Sequence, residues 1–166
     1  MDAQAVILIS RADWGATSPR STKKLREPAK RVVIHHTVVR PGDTSQDCAT
    51  VVARIQRMHM EERRFDDIGY NFLVAQNGIV YEGRGWGVMG AHSKGHNQDS
   101  VGIAFIGNFN NEVPSPEALS SVKLLLKQGI SLGYLCSSYA IFGHRDLGST
   151  ECPGNKLYPE IQRLKS

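Results

Sequence analysis

Two groups of residues have types and spacing that could do chemistry. His35 and His36 stand together at the end of an apolar run. Gly143-His144-Arg145-Asp146 is followed by Ser149-Thr150-Glu151-Cys152-Pro153-Gly154, which puts a cysteine eight residues after a histidine. Adjacent strand residues face opposite sides, so only one of His35 and His36 can point into a given site. A turn-rich loop can bring His144 and Cys152 to one point. Imidazole and thiolate are good Zn²⁺ ligands, and a catalytic zinc takes three protein ligands while the fourth position stays open for water. One imidazole from the first strand would complete that set. The same residue types also fit a core histidine with a buried free cysteine. They fit a Cys-His nucleophilic hydrolase as well, with Cys152 and His144 as the pair, which would need a polarised thiolate and an oxyanion hole.

Positioning these groups falls to the elements that the patterning predicts. Arg31 to Thr37 is β-branched and apolar at its centre and predicts a buried strand that Pro41-Gly42-Asp43 breaks. From Ser45 to about Arg63 the apolar positions Val51, Val52, Ile55 and Met58 follow helical spacing, with Asp47 in the first turn. Tyr70 to Gln76 and Ile79 to Glu82 form a hairpin across Asn77-Gly78, the pair favoured in type I′ turns. A long glycine-rich loop (Gly83, Gly85, Gly87, Gly90, Gly95) is expected to line something, and Val101 to Gly107 is a second buried strand. Ser115 caps and Pro116 opens a helix that ends near Gly129 or Gly133. Tyr139 to Gly143 is a last strand, and Leu157, Ile161 and Leu164 predict a closing helix. This order makes an α/β fold with a mixed sheet and helices packed on it. Residues 1–30 read as an arm that packs through Trp14, and residues 31–166 as the domain proper.

With 166 residues, 40% of them hydrophobic and 22% charged, the chain can bury a core without a disulfide scaffold, which 3 cysteines could not supply. Its longest apolar stretches, Ala5 to Ile9 and Val101 to Gly107, fall far short of the ~18 residues of a membrane span. Residues 1–40 carry +5 of the net +4, so the remainder is slightly acidic. No basic stripe with stacking aromatics accompanies that charge, which argues against nucleic acid. An attraction of the basic segment to anionic polymers such as bacterial cell walls would be electrostatic and salt-sensitive. Asp2 sits where a signal peptide would be basic, so no leader is recognisable.

The chain resembles the peptidoglycan recognition proteins, the animal relatives of phage and bacterial N-acetylmuramoyl-L-alanine amidases. The residues that carry the resemblance are Arg11-Ala12-Asp13-Trp14-Gly15-Ala16, Val33-Ile34-His35-His36-Thr37, Asp67-Ile68-Gly69-Tyr70-Asn71-Phe72, Tyr81-Glu82-Gly83-Arg84-Gly85-Trp86, Gly143-His144-Arg145-Asp146 and Cys152-Pro153-Gly154. The resemblance implies a mostly parallel central sheet flanked by helices, with a groove for glycan and stem peptide. It makes His35, His144 and Cys152 the ligands of a catalytic Zn²⁺ that cleaves the amide between N-acetylmuramic acid and L-alanine in bacterial peptidoglycan, an antibacterial activity of innate immunity. Tyr70 would stand beside the metal to orient its water or hydrogen-bond the developing oxyanion, and the Thr150 hydroxyl would donate from another side. The alternative is a sensor that binds without cutting. In such members the cysteine position is typically replaced, often by Ser, whereas this chain keeps Cys152.

The resemblance further implies substrate contacts from His36, Thr37, His59, Arg63, Arg64, Phe65, Arg84 and His92, while His96 reads as a loop residue and Trp86 as packing beneath the groove. Arg84 in Tyr-Glu-Gly-Arg-Gly-Trp leans toward stem peptides with meso-diaminopimelate, whose extra carboxylate a guanidinium can meet with two hydrogen bonds. A second determinant, often Gly-Trp for diaminopimelate and Asn-Phe for lysine, is Arg64-Phe65 here. A monomer is expected. The family's common disulfide is missing: Cys48 has Gly42 where its partner would stand, which leaves only Cys136 to pair with if Cys152 holds metal. That loss slightly favours a reducing compartment or a fold stable without the bridge. The family is commonly secreted, so the compartment stays open between the two.

Overall fold

The computed structural model describes residues 6–38 and 47–165. Six strands form one mixed sheet: β1 (Leu8–Ile9), β2 (Ala29–His36), β3 (Phe72–Val74), β4 (Val80–Glu82), β5 (Ser100–Phe105) and β6 (Leu135–Gly143), in the spatial order β1-β4-β3-β5-β2-β6. Only the β3–β4 pair is antiparallel; the other four pairings are parallel. Two α-helices cover the faces, α1 (Cys48–Glu61) and α2 (Pro116–Ser131).

The period-2 alternation of the strands separates two cores. Val32 and Ile34 of β2 join Val101, Ile103 and Phe105 of β5 under Val122, Leu125 and Leu126 of α2. On the opposite face Leu73, Tyr81 and Ala104 pack under Val51, Val52 and Ile55 of α1. The first face is almost wholly apolar, so the polar chemistry is left to the face of α1. The basic arm takes part in that second core. Trp14 is 4% exposed, its indole N–H donates to the Glu82 carbonyl at 2.8 Å, and Arg11 pairs with Asp67 at 2.9 Å. Leu8 and Ile9 add the edge strand beside β4.

Several local expectations need correction. The hairpin forms, but not through a type I′ turn: of Asn77 and Gly78 only the glycine has positive φ. Gly78 N–H donates to Ala75 O, and Ala75 N–H to Ile79 O. This is the three-residue loop in which a turn is followed by one left-handed glycine. Asp47 precedes α1 rather than lying in its first turn, and its side chain makes no cap bond. β6 begins at Leu135, four residues before Tyr139. Its polar start, Cys136-Ser137-Ser138, hid a strand that lies at the sheet edge and faces solvent on one side. The closing helix winds as a 3₁₀-helix, Tyr158–Lys165, that still buries Ile161 and Leu164; so short a segment gains too few α bonds to favour that form. Ser115 caps α2 as expected, its Oγ accepting from Ala118 N–H at 3.0 Å. Ser45 and the Pro41-Gly42-Asp43 break lie outside the described residues.

The end of α1 gives a physical reason for the residue pair after Arg63. Arg64 has φ +62, and Phe65 N–H donates to His59 O at 2.9 Å, closing the helix. That left-handed conformation suits Gly and Asn and costs an arginine about 1–2 kcal/mol. Arg64→Gly is expected to raise unfolding stability by roughly 0.5 kcal/mol, after the greater freedom of glycine in the unfolded chain is subtracted. A urea midpoint unchanged or lowered would contradict the strain.

Candidate functional site

β2 lies between β5 and β6, both parallel to it, so the three strands end at one edge of the sheet. Beyond such carboxyl ends is where open α/β sheets place their ligands. Because Val32 and Ile34 enter the core under α2, strand alternation turns His35 to the face of α1 and His36 the other way. His35 is 1% exposed. The His36 ring is tied back by Phe109 N–H, which donates to Nδ1 at 3.2 Å.

β6 delivers the second imidazole. The chain leaves the strand at Gly143, where a Cβ would come within 2.7 Å of the Tyr158 ring, and enters the short 3₁₀ turn His144–Asp146. The Asp146 carboxylate accepts from Gly143 N–H at 2.9 Å. Arg145 N–H donates to Cys152 O at 2.8 Å, and Thr150 Oγ1 accepts from Cys152 N–H at 3.1 Å. These bonds fold the loop back until the Cys152 sulfur lies 3.6 Å from His35 Nδ1 and accepts from His36 N–H at 3.4 Å. The ligand atoms of His35, His144 and Cys152 all lie within 4.8 Å of one another. Among the described residues this is the cluster of such donors able to hold a metal ion.

The cluster opens into a cavity of about 420 Å³. Of the residues expected in the site, His35, His36, Thr37, His59, Arg63, Phe65, Tyr70, His92, His144, Thr150 and Cys152 line it; Arg64 and Arg84 do not. The Tyr70 ring stands 5.2 Å from that of His35 and 5.5 Å from that of His59. His59 Nδ1 accepts from Gly69 N–H at 2.9 Å, which leaves its Nε2–H as a donor. Thr37 Oγ1 accepts from Gly107 N–H at 3.0 Å. Arg84 is committed elsewhere: Nε donates to Ile68 O at 2.7 Å and Nη1 to Met89 O at 2.9 Å.

Residues 25–155 match the N-acetylmuramoyl-L-alanine amidase family, Amidase_2. The chain is 43% identical over 156 residues to a peptidoglycan recognition protein of Trichoplusia ni, covering 94% of this chain and 86% of that one. The chain belongs to the peptidoglycan recognition protein family. Its fold superposes on wild-type Drosophila PGRP-LB with a TM-score of 0.87 at 38% identity, over 95% of this chain and 94% of that one. The fit to peptidoglycan recognition protein-LE in complex with tracheal cytotoxin gives 0.89 at 40% identity, over 96% and 93% of the two chains.

Within this family fold, several placements were not legible from the motifs. All three cysteines are free thiols; Cys136 donates weakly to Pro28 O at 3.8 Å, and Cys48 is bonded to the Tyr81 hydroxyl. Trp86 packs on Phe72 and Tyr134 at the face of α2, so the sheet separates it from the cavity. His96 is a loop residue, yet a fixed one, its Nδ1 2.9 Å from Arg31 Nη1. Asn110 and Glu151 also line the cavity; Asn110 belongs to no motif, and Glu151 stands in the run that carries Cys152 without a role assigned to it.

Burial favours the neutral forms of these imidazoles. Desolvation, with Arg145 nearby, takes His36 down to about 4. Desolvation, with Arg63 and Arg84 adding to it, takes His59 to about 4 as well. Both values lie below the ordinary 6.5, so the unfolded chain binds these protons first. The stability they contribute is complete above pH ~6.5 and is lost as the pH falls toward about 4. The metal-free protein is therefore expected to show a falling Tm over that interval, with a shallower slope in His59→Gln; equal slopes in the two proteins would remove His59 from this account.

Proposed function

We propose that the protein is a zinc-dependent N-acetylmuramoyl-L-alanine amidase acting on bacterial peptidoglycan in innate immunity. The observation that supports this most is the convergence of His35, His144 and Cys152 at the mouth of a cavity that also holds Tyr70. The donor set fits zinc. Two neutral imidazoles and one thiol sulfur are borderline-soft ligands, and the 3.6 Å between Cys152 sulfur and His35 Nδ1 equals the roughly 3.6 Å edge of a tetrahedron with ordinary Zn–S and Zn–N bonds. When bound, zinc supplies Lewis acidity that polarises an amide carbonyl and lowers the pKa of water.

The chain's own residues would do the rest. Burial pushes the Tyr70 phenol above its ordinary range, with Cys152 adding to the rise, so its O–H stays a donor at neutral pH. It faces the cavity where an oxyanion would develop at the lactyl carbonyl. The Thr150 oxygen accepts from Cys152 N–H, and its hydroxyl proton remains to be given to substrate. His36 and His59 each accept a backbone N–H at Nδ1 and so keep Nε2–H for a peptide carbonyl. A metal-free Cys152 nucleophile is disfavoured: burial pushes its thiol up to about 11, whereas an activated thiolate needs the opposite shift. Metal binding displaces that proton.

Cys152→Ser is expected to abolish release of stem peptide from purified peptidoglycan, with zinc content reduced, while pull-down on peptidoglycan survives. Undiminished hydrolysis in this variant, with zinc still bound, would sink the ligand assignment. Tight binding by the wild type with no peptide release would favour the non-cutting sensor instead.

We extend the proposal to substrate class: fragments carrying meso-diaminopimelate are preferred over lysine fragments. Support comes from the relative whose bound tracheal cytotoxin is described as monomeric diaminopimelic acid-type peptidoglycan, and from Arg84, whose charge reaches His59 and His92 at the cavity wall. Two of its three nitrogens already serve backbone carbonyls, so the two-bond contact expected from sequence is reduced. Arg84→Ala should lower affinity for the diaminopimelate fragment through the charge lost near the cavity wall, by less than the ~1.5 kcal/mol of a direct charge-assisted bond, and change that for the lysine fragment little. Equal wild-type affinity for both fragments would refute the preference.

A further inference from the structure

Behind His35, on the side away from Cys152, lies a buried polar chain that none of the roles above uses. His35 Nε2 is 3.0 Å from His92 Nδ1, and His92 Nε2 is 3.3 Å from Ser100 Oγ. Ser100 Oγ donates to the His96 carbonyl at 2.6 Å. His35, His92 and Ser100 are 1%, 7% and 0% exposed, so each polar atom must find its partner within the chain.

The direction of every bond follows from its far end. A carbonyl only accepts, so the single Ser100 hydroxyl proton goes to His96 O. Ser100 Oγ must then accept from His92, which places the His92 proton on Nε2. A neutral imidazole has one N–H, so His92 Nδ1 carries a lone pair and accepts from His35 Nε2–H. The proton of His35 is thereby held on Nε2, and its Nδ1 lone pair faces the Cys152 sulfur. The His96 end is itself anchored: Arg31 Nη2 donates to His96 O at 3.3 Å, Arg31 Nη1 lies 2.9 Å from His96 Nδ1, and Arg31 pairs with Asp99.

The ring of His92 has no freedom to tilt out of this chain. A Cβ on Gly102 would lie 2.4 Å from its Cγ, and one on Gly90 would lie 2.6 Å from its Cδ2. The ring is thus slotted against two bare stretches of backbone. Asn97 Oδ1 accepts from both His92 N–H, at 3.0 Å, and Ser93 N–H, at 2.9 Å, which fixes the loop that carries it.

We propose that His92, with Ser100 behind it, is a positioning residue that locks His35 in the Nε2–H tautomer and so presents Nδ1 as the metal-ligating atom. The inference rests on the reading of His35 as a zinc ligand. Outer partners of metal-binding histidines act in this way, and their loss typically costs about 10–100-fold in metal affinity.

The test has two arms on the full chain. Long-range ¹H–¹⁵N spectra of the metal-free protein at neutral pH should show both His35 and His92 as Nε2–H tautomers in the wild type, and a mixture of tautomers in Ser100→Ala. Competition against a chromogenic chelator should show zinc affinity falling about 10–100-fold in His92→Leu. It should fall less in Ser100→Ala, and be largely restored in His92→Asn, whose amide oxygen can stand near the position of Nδ1. A wild-type His35 protonated on Nδ1, or full zinc affinity in a folded His92→Leu, would overturn the proposal. A wild type that shows these tautomers but binds no zinc overturns the proposed amidase function, and with it the metal-ligating role given to Nδ1. Zinc binding and the tautomers together without peptide release count against the amidase alone.

Discussion

Three imidazoles and a thiol are crowded at one edge of the sheet. The ring centroids of His92 and His144 lie 5.0 Å and 4.6 Å from that of His35. A proton added to any of them would be a charge in a desolvated site already repelled by its neighbours, and His35 is accordingly held well below its ordinary range by burial and then by His92 and His144. Without metal, burial favours the neutral imidazoles. Neutral imidazoles are directional: each has one donor and one acceptor, so a cluster of them must be wired in a definite sense or leave buried atoms unpaired. Much of the local structure serves that wiring.

The small residues of β5 are the clearest case. Ser100, Gly102 and Ala104 alternate with Val101, Ile103 and Phe105, and the large set fills the core under α2. The small set leaves room on the other face, where His92 lies against Gly102. Asn71 then holds that bare backbone in place: its Oδ1 accepts from Gly102 N–H at 2.8 Å and its Nδ2 donates to the carbonyls of Gly85 and Val88. Substituting Gly102 or Gly90 would displace the ring before it disturbed the sheet. The site and the sheet are in this sense one packing problem.

Much of this was legible in the sequence, and the parts that were not share a cause. The order of elements, the Ser115 cap and the convergence of His35, His144 and Cys152 follow from periodicity, local chemistry and recognisable motifs. The turn at Gly78, the start of β6 and the form of the closing helix depended on tertiary context that no local pattern carries. Within the site, His92 was visible only as a weak groove match and Ser100 not at all, because their role lies in contacts across 57 and 8 residues. A signal was present in the alternation of small and large residues along β5, which marks a face that must accommodate something other than aliphatic packing. The setting of Arg84 was hidden for a related reason. Motif position identifies a guanidinium but not the carbonyls of Ile68 and Met89 that occupy it.

The same neutrality separates folding from metal chemistry. Burial raises the Cys152 thiol to about 11, so without metal the sulfur is an uncharged acceptor of the His36 N–H and the loop from His144 to Cys152 closes on bonds from backbone N–H groups to Cys152 O, Asp146 and Thr150 that need no ion. A serine in that position would be equally neutral and could accept the same N–H. The fold therefore tolerates both residues, while a dense set of soft donors for zinc exists only with the thiol. This gives a physical basis for one scaffold shared by a family described as an amidase and by relatives named as recognition proteins. The cavity is built by the strands, by α1 and by the His92 loop, whereas the Cys152 sulfur hangs on a loop closed by hydrogen bonds of its own.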